Sequence, residues 1–294
     1  MVKIPRCPFL LPSFSEWRHD LGGPPVNHVH AITLFLLVCS ICATIVAADD
    51  DDAAIETRTI TYEHGEMVLE GYFAAPADRE ADSTRPGILV VHEWWGHNDF
   101  ARRKAERLAR LGYAAFALDM YGRGITADRA PEASRLAEPF YQNDFQLMRS
   151  RARAGLDVLA EQPEVDADRL ASIGFCFGGT VSLQLAYDGA PVRGVVSFHG
   201  SLPPPLESDS KPEARILILH GAEDPLVPDE QVRACTERLS ELEADWQLIA
   251  YGGAVHSFTN PAADGHGIDG VAYDETAHRR SWRHMQIFFE ELFD

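Results

Sequence analysis

From Thr57 onward the hydrophobic pattern switches back and forth between two forms. Short continuous apolar runs bounded by Gly, Pro or charged residues read as strands, and longer stretches with apolar residues three and four apart read as helices. Thr57–Glu63 and Met67–Phe73 are β-rich runs separated by His64-Gly65-Glu66, which predicts an N-terminal hairpin. Gly87–Val91 (GILVV) has no polar position at all, the pattern of a strand covered on both faces. Asp99–Leu111 sets Phe100, Leu108 and Leu111 among Arg and Glu and stops at Gly112, so it reads as a helix. Further strands are expected at Tyr113–Leu118, Arg169–Gly174, Val192–Phe198, Ile216–Leu219 and Trp246–Ala250. Further helices are expected at Asn143–Leu159, Gly179–Tyr187, Gln231–Leu242 and Thr276–Phe293. Ser201–Lys211 and Asn260–Gly270 read as irregular surface stretches. Strand–helix alternation of this kind predicts one mostly parallel central sheet flanked by helices on both faces. Residues 49–294 carry no internal repeat and no long linker, and are expected to form a single domain.

The first 48 residues break the pattern. Ile32–Ala47 is sixteen residues without a charge, preceded by Lys3, Arg6 and Arg18 and followed by Ala48 and the acidic run Asp49–Asp52. That is the order of an export signal, and cleavage after Ala48 leaves Val46 and Ala48 at the positions a signal peptidase inspects. The expectation is export to the periplasm or the exterior, with a retained membrane anchor over residues 31–48 as the alternative. The run is short for a spanning helix, which needs about 20 residues.

Composition narrows the function classes. Apolar residues make up 46% and charged residues 24% of 294, as in an ordinary globular protein. The formal charge is −19; loss of residues 1–48 removes three basic and two acidic side chains and leaves −20. Such a surface repels phosphate backbones, so no nucleic-acid partner is expected. Five cysteines are too few for a disulfide scaffold. Only Cys176 and Cys235 lie beyond residue 48, and both are expected to be free, Cys235 half-buried in its helix. A monomer is expected.

The chemistry gathers at strand ends. Gly174-Phe175-Cys176-Phe177-Gly178-Gly179 follows a strand and opens a helix, the form of a nucleophile elbow with Cys in place of Ser. The turn lifts Cys176 above the sheet beside the positive end of the next helix, which favours a thiolate. The backbone N–H of Phe177 then faces a developing oxyanion. A thiol nucleophile needs a base, and the base an orienting acid. ILILHGAEDPLVP places Asp224 just beyond one strand, and YGGAVHSF places His256 just beyond the next. Glu223 and His220 lie beside Asp224; Asp224 is preferred because Pro225 and Pro228 fix its loop. Nucleophile, acid and His in that order is the order of α/β-hydrolases. The segment His92-Glu93-Trp94-Trp95-Gly96-His97 resembles a zinc motif only superficially, since its histidines are five apart and it leaves a strand. No metal and no organic cofactor is expected. His266, His278 and His284 are expected to be solvated or structural.

With these motifs in view, Thr57–Phe293 resembles the dienelactone hydrolase family of the α/β-hydrolase fold. The carriers are VVHEWWGHND at Val90–Asp99, the GFCFGG elbow, HGAEDPLVP at His220–Pro228 and GGAVHSFTNP at Gly252–Pro261. The resemblance implies a Cys176–His256–Asp224 triad and hydrolysis of a small-molecule ester or lactone through an acyl-enzyme. It implies that Glu93 holds the resting Cys176, and that the Trp94 N–H joins Phe177 in the oxyanion hole. Archetypal members bind a substrate carboxylate with two Arg. One of those positions is Asn260 here, and Arg135 lies near the other. Trp94 and Trp95 at the mouth point to a bulky apolar or aromatic acyl group instead. Arg123, in the loop after Asp119, is a further candidate for the pocket. Two other functions fit the same residues: a non-catalytic binding protein on a hydrolase fold, and a thiol redox sensor using Cys176.

Overall fold

A computed structural model describes residues 53–78 and 83–294. The export or anchor reading of residues 1–48 falls outside the described residues.

Eight strands form one sheet in the order β1-β2-β4-β3-β5-β6-β7-β8. They are β1 (Ile55–His64), β2 (Met67–Pro76), β3 (Arg85–Val91), β4 (Ala114–Ala117), β5 (Val165–Phe175), β6 (Gly194–Phe198), β7 (Arg215–Gly221) and β8 (Trp246–Tyr251). The hairpin β1–β2 closes through Gly65, whose φ of +61° is a conformation only glycine adopts without strain. β2 runs antiparallel to both its neighbours, and from β4 to β8 every pairing is parallel. The α-helices are α1 (Asp99–Arg110), α2 (Ala130–Ala137), α3 (Gln146–Ala160), α4 (Phe177–Tyr187), α5 (Asp229–Glu241) and α6 (Glu275–Phe293).

The continuous apolar strands are explained by burial on both faces. In β3, Leu89 and Val91 belong to the buried layer shared with α3, α4 and α5, while Ile88 and Val90 belong to the layer shared with α1 and α6. In β7, Ile216 and Ile218 face the first of these layers, and Leu217 and Leu219 the second. Each such side chain contributes roughly 1.5–3 kcal/mol on burial. Helix ends follow local chemistry. The Asn98 side chain accepts from Phe100 N at 3.0 Å to start α1, and Asp274 accepts from Ala277 N at 2.7 Å to start α6.

Three differences from the sequence pattern bear on the site. The helix expected from Asn143 begins at Gln146, because Asn143, Asp144 and Phe145 all take positive φ. A helix not predicted at all, α2, is followed by a 3₁₀ turn at Glu138–Tyr141, and Pro131 and Pro139 explain the weak periodicity there. Cys235 is fully buried rather than half-buried, with its sulfur 3.5 Å from Tyr187 Oη.

Because β3 and β5–β8 are parallel, the loops that leave them open on one edge of the sheet. Glu93, Cys176, Asp224 and His256 all lie just beyond strand ends on that edge.

Candidate active site

Cys176 joins β5 to α4 with φ +54° and ψ −117°, a strained setting for a residue with a Cβ. The turn is possible because its neighbours lack side chains. A Cβ on Gly174 would stand 1.8 Å from Gly178 O, and one on Gly178 would stand 2.3 Å from Val91 O. The Cys176 N–H is shared between Phe198 O at 3.0 Å and His199 Nδ1 at 3.1 Å. Accepting at Nδ1 leaves the His199 proton on Nε2, which donates to Thr259 Oγ1 at 2.7 Å. Burial and the neighbouring His256 charge hold His199 well below the ordinary imidazole range, so it stays neutral. Sequence reasoning missed His199. The available signal was a lone His directly after the buried strand β6, on the catalytic edge.

His256 Nδ1 lies 2.8 Å from Asp224 Oδ2, both buried. Asp224 Oδ1 accepts from Leu226 N at 2.9 Å, so the Asp224-Pro225-Leu226 turn fixes the carboxylate. Glu223 is exposed and takes no part. The loop after β8 is pinned by His256 N donating to Gly270 O and Ala272 N donating to His256 O. Burial alone would lower the His256 pKa. The Cys176 sulfur beside it and the Asp224 carboxylate outweigh burial and raise it to about 10. With Nδ1 turned to Asp224, Nε2 faces the thiol. His220 is buried with Nδ1 lacking a partner among the described residues, and desolvation lowers its pKa.

Glu93 departs from its implied role. Its Oε2 accepts from Asn260 Nδ2 at 2.6 Å and its Oε1 from Ser257 Oγ at 3.3 Å. No hydrogen bond joins it to Cys176 among the described residues. Burial raises its pKa, opposed by the Asn260 bond and the positive charges of His256 and Lys104. Asn260 is therefore a partner of Glu93 and not a wall of the cavity above Cys176.

That cavity holds about 500 Å³ and is lined by Trp94, Trp95, Ala137, Glu138, Tyr141, Phe177, Leu226, Ile268 and Val271 around Cys176 and His256. Trp95 is clamped by His266, stacked at 4.1 Å. The two remaining expectations of a cation at the pocket fail. Arg135 is exposed on α2, with Nε 3.4 Å from Pro131 O, although its neighbours Ser134 and Ala137 line the cavity. Arg123 is exposed and stands outside the lining. The wall is mostly apolar, with Glu138, Gln142 and three serines (Ser134, Ser201, Ser257) among its polar positions, and it carries no guanidinium. The amides of Trp94 and Phe177 have no acceptor among the described residues, and Tyr121 Oη fixes the Trp94 peptide by donating to its oxygen at 3.1 Å.

The other singled-out groups are structural. Asp119 accepts from Tyr121 N and Gly122 N. His92 accepts from Met120 N at 3.2 Å through Nε2, with Nδ1 against Glu93 O. His284 meets Tyr251 Oη at 2.8 Å.

Residues 69–293 match the model of the dienelactone hydrolase family. A dienelactone hydrolase-like promiscuous phosphotriesterase from metagenomic libraries is 42% identical to this chain. It superposes with a TM-score of 0.79 over 82% of this chain and all of its own. An uncharacterized protein of Caenorhabditis elegans is 38% identical over 153 residues, 50% of this chain and 94% of its own. The usf protein of Aquifex pyrophilus is 26% identical over 239 residues, 80% of this chain and 98% of its own.

Proposed function

This chain belongs to the dienelactone hydrolase family of carboxylic ester and lactone hydrolases, and we propose that it cleaves an uncharged ester or lactone through a Cys176 thiolate and an acyl-enzyme. The observation that carries this reading is the 2.8 Å bond from His256 to Asp224 beneath an apolar cavity that opens on Cys176. Raised to about 10 by the Cys176 sulfur and the Asp224 carboxylate, His256 holds a proton that it can pass to a leaving group.

The thiolate attacks the acyl carbon, and the carbonyl π electrons move to oxygen. The Trp94 and Phe177 amides stabilise that oxyanion, each donor contributing about 3 kcal/mol. Collapse expels the alkoxide, which takes the proton from His256 Nε2. Neutral His256 then removes a proton from water as it attacks the thioester, and the carboxylic acid and thiolate are released. Asp224 keeps Nε2 pointed at the sulfur throughout. Glu93, Asn260 and His199 act through position: they hold the loops around Cys176 and His256.

Apart from the catalytic His256 the cavity wall carries no Arg or Lys, and Glu138 stands at its rim, which favours neutral acyl groups over carboxylate-bearing ones. The same observation supports a second reading, an uncharged phosphotriester, the substrate class named for the 42%-identical relative. The experiment is a p-nitrophenyl ester assay with intact-mass detection of the acyl adduct, beside diethyl p-nitrophenyl phosphate. Acylation is expected on Cys176 and turnover is expected to vanish in Cys176→Ala. Wild-type turnover in that variant overturns the thiolate mechanism. We also propose that residues 1–48 direct export. A mature N-terminus at Asp49 supports that, and a chain retaining residues 1–48 in the membrane supports the anchor.

A further inference from the structure

A second cleft is lined by Asn260, which takes no part in the ester cavity. It encloses about 400 Å³ between α1 and the start of α6, and its wall includes Phe100, Arg103, Lys104, Arg107, Asn260 and His278. Three cations and an imidazole thus face one space in a chain with a formal charge of −19.

The arrangement is built around Lys104. Its side chain is buried, with Nζ 3.3 Å from His278 Nε2 and within 4.7–5.5 Å of the Phe100, Phe175 and Trp282 rings. Arg107 lies over the Trp282 ring at 4.1 Å and reaches His278 at 3.5 Å. His278 Nδ1 meets Tyr273 Oη at 3.2 Å, which fixes the imidazole from behind. Among the described residues, no carboxylate oxygen comes within 4.0 Å of the Arg103 or Lys104 nitrogens. By contrast, Arg102 and Arg110 on the same helix pair with Asp99 and Glu106. A buried ammonium is normally paired, and aromatic rings supply only part of that compensation. Desolvation, and after it the Arg107 and Arg103 guanidinium groups, depress the Lys104 pKa to about 7 against the attraction of the Glu93 carboxylate.

We infer that this cleft binds a small oxyanion, a phosphate or carboxylate group, held by Lys104, Arg103 and Arg107. The anion supplies the close negative charge that Arg103 and Lys104 find on no carboxylate among the described residues, and Asn260, which bonds Glu93, lines the same cleft. Ester turnover plays no part in the inference.

The test is isothermal titration of the full chain with inorganic phosphate, and separately with acetate, at an ionic strength held constant with chloride. Saturable one-site binding is expected, at least tenfold weaker in Arg103→Ala, an exposed position where the fold is preserved, and in Lys104→Met. Tighter phosphate assigns a phosphate-bearing ligand, and tighter acetate a carboxylate. Absence of saturable heat with both anions, or affinities unchanged in Arg103→Ala, overturns the inference.

Discussion

Asn260 donates its side-chain amide to Glu93 across 2.6 Å, joining the loop after β8 to the loop after β3 where both are buried. In Asn260→Ala the carboxylate keeps only the longer bond from Ser257. A buried charged group that loses a hydrogen-bond partner costs about 1–3 kcal/mol. Glu93 has its pKa raised by burial, so the native state binds more protons than the unfolded state once pH rises above the ordinary carboxylate value. Its charge therefore opposes folding increasingly as pH rises. The loss in Asn260→Ala should be larger at pH 8 than at pH 5. Urea denaturation midpoints at the two pH values check it; an equal loss at both would mean Asn260 acts through packing alone.

Asp224→Asn keeps the shape of the acid and removes its charge. Turnover should fall roughly 10²–10⁴-fold, through loss of the imidazole orientation. The pH profile should move as well. His256 is raised to about 10, so kcat/KM of the wild type should hold to that region and then decline as the proton leaves. Without the carboxylate, the decline should begin at lower pH. A stopped-flow acylation profile separates this shift from a simple loss of folded protein.

Glu138 lines the mouth of the cavity and is exposed, which makes it a place to alter charge without disturbing the core. Glu138→Arg removes a repulsive carboxylate and supplies a guanidinium. The ratio of kcat/KM for carboxylate-bearing over neutral esters should rise about tenfold, corresponding to about 1.4 kcal/mol. An unchanged ratio would place the acyl group deeper than this rim.

Much of the fold was legible because its central strands are buried on both faces and α1 carries plain start and stop signals. GILVV could only be a covered strand, and Asn98 and Gly112 bracket α1. Cys176, Asp224 and His256 were legible because parallel strands open on one edge, so residues just beyond several strands must meet. Three features were hidden. The cluster of positive φ at Asn143–Phe145 delays α3 and has no periodic signature. The α2 helix is short, with Pro131 in its first turn and Pro139 just past its end, yet it and the 3₁₀ turn after it bring Ala137 and Glu138 to the cavity. The partnership of Asn260 with Glu93 joins residues 167 apart in sequence, and only the fold brings such pairs together. The expectation that Asn260 and Arg135 contact substrate failed for the same reason: position in sequence does not tell which way a loop side chain turns.

The two thiols beyond residue 48 should behave oppositely. Cys176 is partly exposed at the floor of a cavity of about 500 Å³, beside His256. Cys235 is fully buried, and burial pushes its thiol up to about 11. Cys176 immediately precedes α4, whereas Cys235 touches Tyr187 at the other end of that helix. Both are free thiols, in different surroundings. Iodoacetamide at pH 8 should modify Cys176 within minutes and leave Cys235 unmodified until denaturant is added. Cys176→Ala should then show no native-state labelling beyond residue 48. Peptide mass spectrometry reads both sites at once, and rapid native labelling of Cys235 would mean that α5 opens from the sheet far more readily than its packing implies.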